Sequence, residues 1–116
     1  MKTSKLVAIL KGSSELTSLI PSINLMQAPS AEKKYLVLRK TGSTYAYSLG
    51  IGELPKKSDS RSIQICADDF TTIESTVEVL FNLLHDEVVG MTWLNATEDY
   101  NSDIKKWEAV IDFEIK

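Results

Sequence analysis

Residues 62–89 decide the fold of this chain, and they read SIQICADDFTTIESTVEVLFNLLHDEVV. At the start of this stretch Ile63, Ile65 and Ala67 alternate with less apolar neighbours, which is the period-two pattern of a strand with one buried face. After Asp69, apolar side chains recur at steps of three and four residues, which is typical of a helix with one apolar stripe. The stripe comprises Ile73, Val77, Leu80, Phe81 and Leu84. A strand that leads into such a helix predicts a helix packed on a sheet.

The start of this helix carries two sequence signals. Asp69 is a candidate N-cap, and Thr71 with Glu74 three residues later has the spacing of a capping box. The other side of the helix is polar and carries Glu74, Glu78, Asn82 and His85. A helix over residues 71–85 would span roughly 22 Å, which is enough to cross a small sheet.

The segments before this unit predict a helix and a hairpin. Residues 3–20 have a helical pattern that is interrupted at residues 12–14 and ended by Pro21, so we expect one helix followed by a short turn. The pair Gly42 and Ser43 is a turn signal between two short alternating segments, which favours a hairpin. The predicted strands are residues 35–39, 45–49, 62–67, 91–95 and 107–115.

Two polar segments are predicted to lie outside the sheet. Residues 50–60 are rich in Gly, Pro, Lys and Ser and read as an exposed loop, and residues 98–105 read as a polar connector. The connector leads into the clearest strand of the chain, in which large apolar residues alternate with charged ones. These apolar residues are Trp107, Ala109, Ile111, Phe113 and Ile115.

The order of these elements predicts a single α+β domain over residues 1–116. We expect a mainly antiparallel or mixed sheet of about four to five strands with two helices packed on one face. If the strands before and after the main helix are parallel neighbours, their crossover should be right-handed.

Composition excludes several classes of protein. The 116 residues are 43% apolar and 25% charged, which is near the globular average, and the net charge of −3 argues against a protein that wraps nucleic-acid phosphates. The single Cys66 cannot form an internal disulfide and fits a reducing compartment. No secretory signal or membrane-spanning stretch is visible, so we expect the protein to stay in a cytoplasm.

The sequence offers few parts for catalysis. Cys66 lies in a strand pattern and His85 on the polar side of the helix, so a packed thiol and a solvated imidazole are a simpler interpretation than a thiol–imidazole pair. Residues 50–58 lack the Gly-Lys-Ser/Thr ending of a phosphate-binding loop. We therefore predict no enzyme activity and no cofactor.

One segment partly matches a calcium-binding loop. Asp99, Asn101 and Asp103 occupy the first three ligand positions, but Ile104 stands where Gly is needed and Val110 where a bidentate Glu is needed. A polar turn is the simpler interpretation, and we predict no metal site.

The C-terminal part of the chain resembles a known family. The helix end LFNLLHDEV (residues 80–88), a short strand, and then ATEDYNSDIKKWEAVIDFEI (residues 96–115) are similar to the ending of siphophage tail terminator proteins, also called tail completion or tail-to-head joining proteins. The N-terminal helix, the proline-bearing loop and the strand over residues 6–38 follow the same order as in that family.

This resemblance implies a non-enzymatic structural protein of the virion. Such a protein caps the finished tail tube, stops its polymerisation and presents a joining surface to the head connector, and it acts as a ring of six around the DNA path. The implied partners are further copies of the chain, the tail tube protein and the head completion or connector protein. DNA would pass through without specific binding, and no membrane is involved. The implied location is the head–tail junction of the virion, after assembly in the host cytoplasm.

Two physical expectations accompany the resemblance. A closed ring needs two different contact patches on each subunit, and an acidic surface facing the channel would weaken adhesion to DNA phosphates. We predict that the 50–60 loop and the 98–105 turn engage neighbouring subunits or partner proteins. The predicted contact residues are Lys56, Lys57, Arg61, Asp99, Tyr100 and Asp103.

Two alternative functions remain open from the sequence. One is another small head–tail connector or minor virion protein, which would share this size, acidity and α+β order. The other is a cytoplasmic ligand-binding regulatory module that uses the sheet face or a helix–sheet groove.

Overall fold

The computed structural model of the chain describes residues 2–27, 34–46, 56–88 and 90–115. It contains three helices and five strands in the order α1, α2, β1, β2, β3, α3, β4, β5. The helices are α1 (Thr3–Gly12), α2 (Ser14–Leu19) and α3 (Phe70–Glu87). The strands are β1 (Ser22–Leu25), β2 (Tyr35–Ala46), β3 (Lys56–Ala67), β4 (Met91–Asn101) and β5 (Lys106–Ile115).

All five strands form one mixed sheet in the order β1-β2-β3-β5-β4. The β1–β2 pair is parallel, and the other three pairs are antiparallel. The predicted α+β fold class is therefore confirmed. The strands before and after α3 run parallel, but β5 lies between them, so they are not direct neighbours.

The helices cover one face of this sheet. In β5 the alternate residues Ala109, Ile111, Phe113 and Ile115 are buried, as the sequence predicts, and Trp107 packs against the same core. The core is completed by Leu6 and Leu10 of α1, Leu16 of α2, and Ile73, Leu80 and Leu84 of α3. Within the predicted α3 stripe, Val77 is partly buried against this core, whereas Phe81 is exposed. Alternation along the strands therefore assigns every second residue to the helix side and the intervening residues to the other face, which we call the polar face.

The number of helices differs from the prediction of two. The break at residues 12–14 was expected to lead only into a short turn. Instead, the Ser13 side chain accepts a hydrogen bond from the Leu16 backbone N–H at 3.3 Å, which caps a separate helix α2. A serine at this position satisfies a backbone donor that would otherwise lack a partner, so the chain restarts a helix.

The start of α3 confirms one of its two predicted signals. Asp69 is the N-cap, and its carboxylate accepts hydrogen bonds from the Thr72 backbone N–H at 3.1 Å and from the Thr72 hydroxyl at 2.8 Å. These bonds lower the pKa of the Asp69 carboxyl. The Thr71–Glu74 capping box is wrong, because the helix already begins at Phe70 and Thr71 lies inside its first turn.

The first half of the sheet differs most from the sequence prediction. The predicted turn at residues 42–43 is wrong, because β2 continues to Ala46 and absorbs the glycine at a register shift between Lys40 and Gly42. An isolated Gly within a strand pattern is as compatible with a bulge as with a turn. The true partner of β2 is β3, and β1 was not predicted at all.

Both predicted polar segments contribute to strands. Residues 56–60 belong to β3, and residues 98–101 belong to β4, which leaves only residues 102–105 as a turn. Residues 47–49 of the predicted second strand and residues 50–55 of the predicted loop lie outside the described residues. Within the described ranges, no helix is long and apolar enough to span a membrane.

Candidate interaction surfaces

Strand β4 forms one margin of the sheet, and no other described strand pairs with its outer edge. Trp93 pairs with Phe113 and Asn95 pairs with Asp112, so Leu94 is an extra residue in a β-bulge. Leu94 is 54% exposed, a high value for a large apolar side chain. Unpaired edges can dock strands of other chains, and this edge combines free backbone groups with an exposed apolar residue.

An apolar groove of about 180 Å³ lies between α3 and β4. On its α3 side Phe81 is 48% exposed and stacks on Trp93 with 4.9 Å between ring centroids. Trp93 in turn packs against the core residue Phe113 at 5.7 Å. We call this site the β4 groove, and it is lined by Val77, Phe81, Trp93, Leu94, Asn95, Ala96 and Ile111.

The β4 groove has a buried donor and an acidic rim. The indole N–H of Trp93 is buried and has no hydrogen-bond acceptor within the described part of the chain. Beside Val77 and Phe81, a second concavity is bordered by Glu74, Glu78 and Glu98. Because buried donors are normally paired, the indole is a place where another chain could supply an oxygen atom.

The opposite margin of the sheet also exposes apolar side chains. Leu25 is 46% exposed and Met26 is 49% exposed at the end of β1. The Gln27 N–H donates to the Leu25 carbonyl at 2.9 Å, which closes a γ-turn around Met26, and Met26 has a φ of 69°. This conformation is unfavourable for a bulky L-residue, and such strain persists where the surrounding structure or a function requires it. Strand β2 runs beside β1, with Lys34 just before it and Lys40 two residues beyond Leu38, the register partner of Leu25. We call Leu25, Met26, Lys34 and Lys40 together the β1 margin.

The polar face carries a ladder of side-chain hydrogen bonds across four strands. Arg39 of β2 donates to Gln64 of β3 at 2.8 Å, and Gln64 donates to Glu108 of β5 at 2.8 Å. The other Glu108 oxygen accepts a hydrogen bond from Asn101 of β4. These half-buried side chains hydrogen-bond to one another, so the ladder stabilises the sheet. None of its four members is left unpaired for catalysis.

A tyrosine and the single cysteine face each other on the polar face. Tyr35 and Cys66 are register partners of β2 and β3, and the Lys106 ammonium lies 5.6 Å from the centre of the Tyr35 ring. Burial and the hydrogen bond with Cys66 raise the pKa of Tyr35 to about 12. Burial also raises the pKa of the Cys66 thiol, which keeps it protonated and a poor nucleophile near neutral pH. His85 is exposed on α3, so the structure gives a packed thiol and a solvated imidazole.

Arg61 was predicted as a contact residue, and the structure places it inside the domain. Only 1% of its surface is exposed, and it contacts Asp59 at 3.7 Å and the Thr3 hydroxyl at 3.4 Å. Lys40 lies 3.6 Å from the same Asp59 carboxylate. This cluster joins the start of α1 to β3.

The other predicted contact residues lie at two opposite ends of the sheet. Lys56 and Lys57 pair with the last residues of β2, beyond the point where β5 ends. Asp99 and Tyr100 lie at the other end, on opposite faces of β4, and Tyr100 packs against Trp107 with 5.3 Å between ring centroids.

Asp103 is exposed in the turn that joins β4 to β5. Its backbone N–H donates to the Asn101 side chain at 3.0 Å. The polar turn predicted over residues 98–105 is confirmed only for residues 102–105, because residues 98–101 belong to β4. The predicted contact residues therefore do not form one surface.

An open groove of about 750 Å³ lies between the α1–α2 junction and α3. Acidic residues on its border are Glu15, Asp86 and Glu87. Among the residues that the structure describes, no group of three His, Cys, Asp or Glu side chains is arranged to hold a metal ion.

Comparison with solved structures shows that another protein shares this fold. No protein-family model matches the sequence, and no curated protein is similar to it. A chain in the structure of the virion of the native gene transfer agent particle superposes with a TM-score of 0.66 at 14% sequence identity, over 92% of this chain and 87% of that chain. The SPP1 Dit protein matches with a TM-score of only 0.34 at 12% identity, over 68% of this chain and 42% of that one, which is too low to support an argument. This domain therefore shares its fold, over nearly its whole length, with a virion chain.

Sequence reasoning missed the β4 groove and the β1 margin. In the sequence, Leu94 and Phe81 both look like core residues. No local sequence pattern reveals the bulge in β4 that exposes Leu94. The signal that was present is Trp93 beside a second large apolar residue in a short strand. In an edge strand one of two such neighbours must point away from the core.

Proposed function

We propose that this protein is a phage-type tail terminator, a non-enzymatic structural protein that caps the tail tube, stops its polymerisation and joins it to the head connector. The observation that carries the proposal is the fold shared with a gene transfer agent virion chain over 92% of the sequence. The resemblance of residues 80–88 and 96–115 to tail terminators supports the more specific role.

The protein acts as a closed ring, most simply of six copies. Ring closure needs head-to-tail contacts between two different patches of each subunit. The β1 margin and the β4 groove lie at opposite margins of one sheet and differ in shape and charge, which supports this mode of assembly.

The polar face is directed toward the DNA path. Among the strand residues whose side chains the structure describes, the charged ones on this face are four acids and two bases, namely Asp99, Glu108, Asp112, Glu114, Arg39 and Lys106. A net negative surface repels phosphates, so DNA slides past without specific binding. The helix-covered face is then turned outward.

The two ends of the sheet meet the partner proteins. The register places Lys56 and Lys57 at one end and the turn with Asp103 at the other, so the tail tube protein and the head connector can be engaged separately. We expect charge reversal at these three positions to weaken joining. Unchanged joining in all three variants would exclude these residues as contacts.

A test of the proposal uses purified protein and purified tail tubes. We expect electron microscopy to show the protein at one end of each tube, and we expect its addition to growing tubes to stop elongation. Bound protein along the tube walls, or bare tube ends at saturating protein, would contradict the proposal. Binding to isolated head connectors with bare tube ends would instead favour the alternative of a small connector protein.

A further inference from the structure

Opposite charges are segregated to the two sides of the sheet. The described residues of the α1, α2, β1 and β2 side (2–27 and 34–46) include six Lys or Arg and one Glu. Those of the α3, β4 and β5 side (70–88 and 90–115) include ten Asp or Glu and two Lys. Strand β3 lies between them, and the described residues 56–69 carry three charges of each sign. The domain is therefore basic at its β1 margin and acidic around its β4 groove.

Each of these two sides also has an apolar centre. Leu25 and Met26 project at the basic margin, whereas Phe81, Trp93 and Leu94 line a groove at the acidic one. In a protein interface, burial of an apolar centre contributes to affinity, and the charges around it select the correct partner.

We propose that Leu25 and Met26 of one subunit occupy the β4 groove of the next subunit, with Lys34 and Lys40 opposite the acidic rim of Glu74, Glu78 and Glu98. This inference rests on the proposed ring and names its subunit contact. Two local features fit it. The γ-turn holds Met26 outward in a strained conformation, and the buried Trp93 N–H gains an acceptor from the neighbouring backbone.

A second copy of this chain is the best occupant because both complementary halves belong to it. A symmetric dimer through two β4 grooves would place acidic rims against each other, which like-charge repulsion disfavours. Contact between different margins avoids this repulsion and repeats from subunit to subunit, as a ring requires.

The test uses two variants with reversed charges. Lys34→Glu with Lys40→Glu makes both margins acidic, and Glu74→Lys with Glu78→Lys makes both margins basic. We expect each variant alone to need at least about tenfold more protein than the wild type to form rings, because like charges then face each other. An equal mixture should assemble again, as rings in which the two variants alternate and the subunit number is even. Native mass spectrometry would show both the recovery and the alternation.

A matched control separates position from net charge. Asp86→Lys with Glu87→Lys makes the same charge change in α3, but at the end that borders the other concavity. We expect this control to assemble within about twofold of the wild type, since charges of this exposure act locally in physiological salt. Assembly as impaired as in Glu74→Lys with Glu78→Lys would overturn the inference.

A fourth variant keeps the test independent of the lysines. The Lys34 reversal removes an exposed ion pair with Asp69, which contributes little to folding, whereas the Lys40 reversal acts on the largely buried Asp59 beside Arg61. If circular dichroism shows a misfolded lysine variant, Leu94→Asp is used, because Leu94 is exposed in a bulge. Leu94→Asp should block ring assembly while staying folded, and assembly at wild-type protein concentrations would overturn the inference.

The possible failures are distinguishable. If the wild type forms rings and the charge-reversed variants form them equally well, this contact is overturned but the proposed function stands. The same holds if the mixture of the two variants does not form rings. A wild-type protein that neither forms rings nor binds tail-tube ends would overturn both.

Discussion

The two faces of this sheet are stabilised in different ways. On the helix side, Ile63, Ile111 and Phe113 are at most 1% exposed and pack under α3. On the polar face, Arg39 and Glu108 are half-buried and belong to a ladder of hydrogen bonds. The comparison shows that one face is held together mainly by apolar burial, while the other is held together by hydrogen bonds between half-buried polar side chains. Substitutions should therefore have different effects on the two faces.

The largest expected effect is on the helix side. Ile111→Ala removes a buried side chain and should lower the free energy of unfolding by about 2–5 kcal/mol. The adjacent Val110 is half-buried on the polar face, so Val110→Ala is the matched control, with an expected loss of about 1 kcal/mol or less. Urea denaturation measures both. Equal losses in the two variants would show that the faces do not differ as described.

A smaller effect is expected from alkaline pH on the polar face. The pKa of Tyr35 is about 12 in the folded protein and about 10 in an unfolded chain. Because the folded pKa is raised, the stabilising contribution of the protonated phenol is fully present below about pH 10 and is lost as the pH rises toward 12.

Tyr35→Phe should therefore lose less stability than the wild type between about pH 10 and pH 12. Denaturant titrations of both proteins across this range measure the difference. Parallel stability profiles would contradict a protonated, partly buried Tyr35.

The sequence was most informative where the pattern is long and local. Strand β5 and helix α3 were predicted because ten and eighteen residues repeat a single period. Strand β1 has only four residues and gains its partner β2 through a parallel contact, so no local period reveals it. The bulges at residue 41 and at Leu94 also shift the register without a distinctive residue pattern.

The candidate surfaces were less predictable than the fold. Polarity suggested Arg61 as a contact residue, yet the packing of Thr3 and Asp59 around it makes it an internal residue. The β1 margin depends on a γ-turn at Met26, and the β4 groove depends on how far α3 lies from an edge strand. Such surfaces arise from the relative placement of distant segments, which a single sequence does not encode in any local pattern.

The most direct measurement is a cryo-electron microscopy reconstruction of the purified protein in its assembled state. We predict a closed ring in which the β1 margin of each subunit contacts the β4 groove of the next and the polar face lines a central channel. A protein that remains monomeric at every concentration, or a two-fold dimer joined through its helix-covered face, would contradict the proposal.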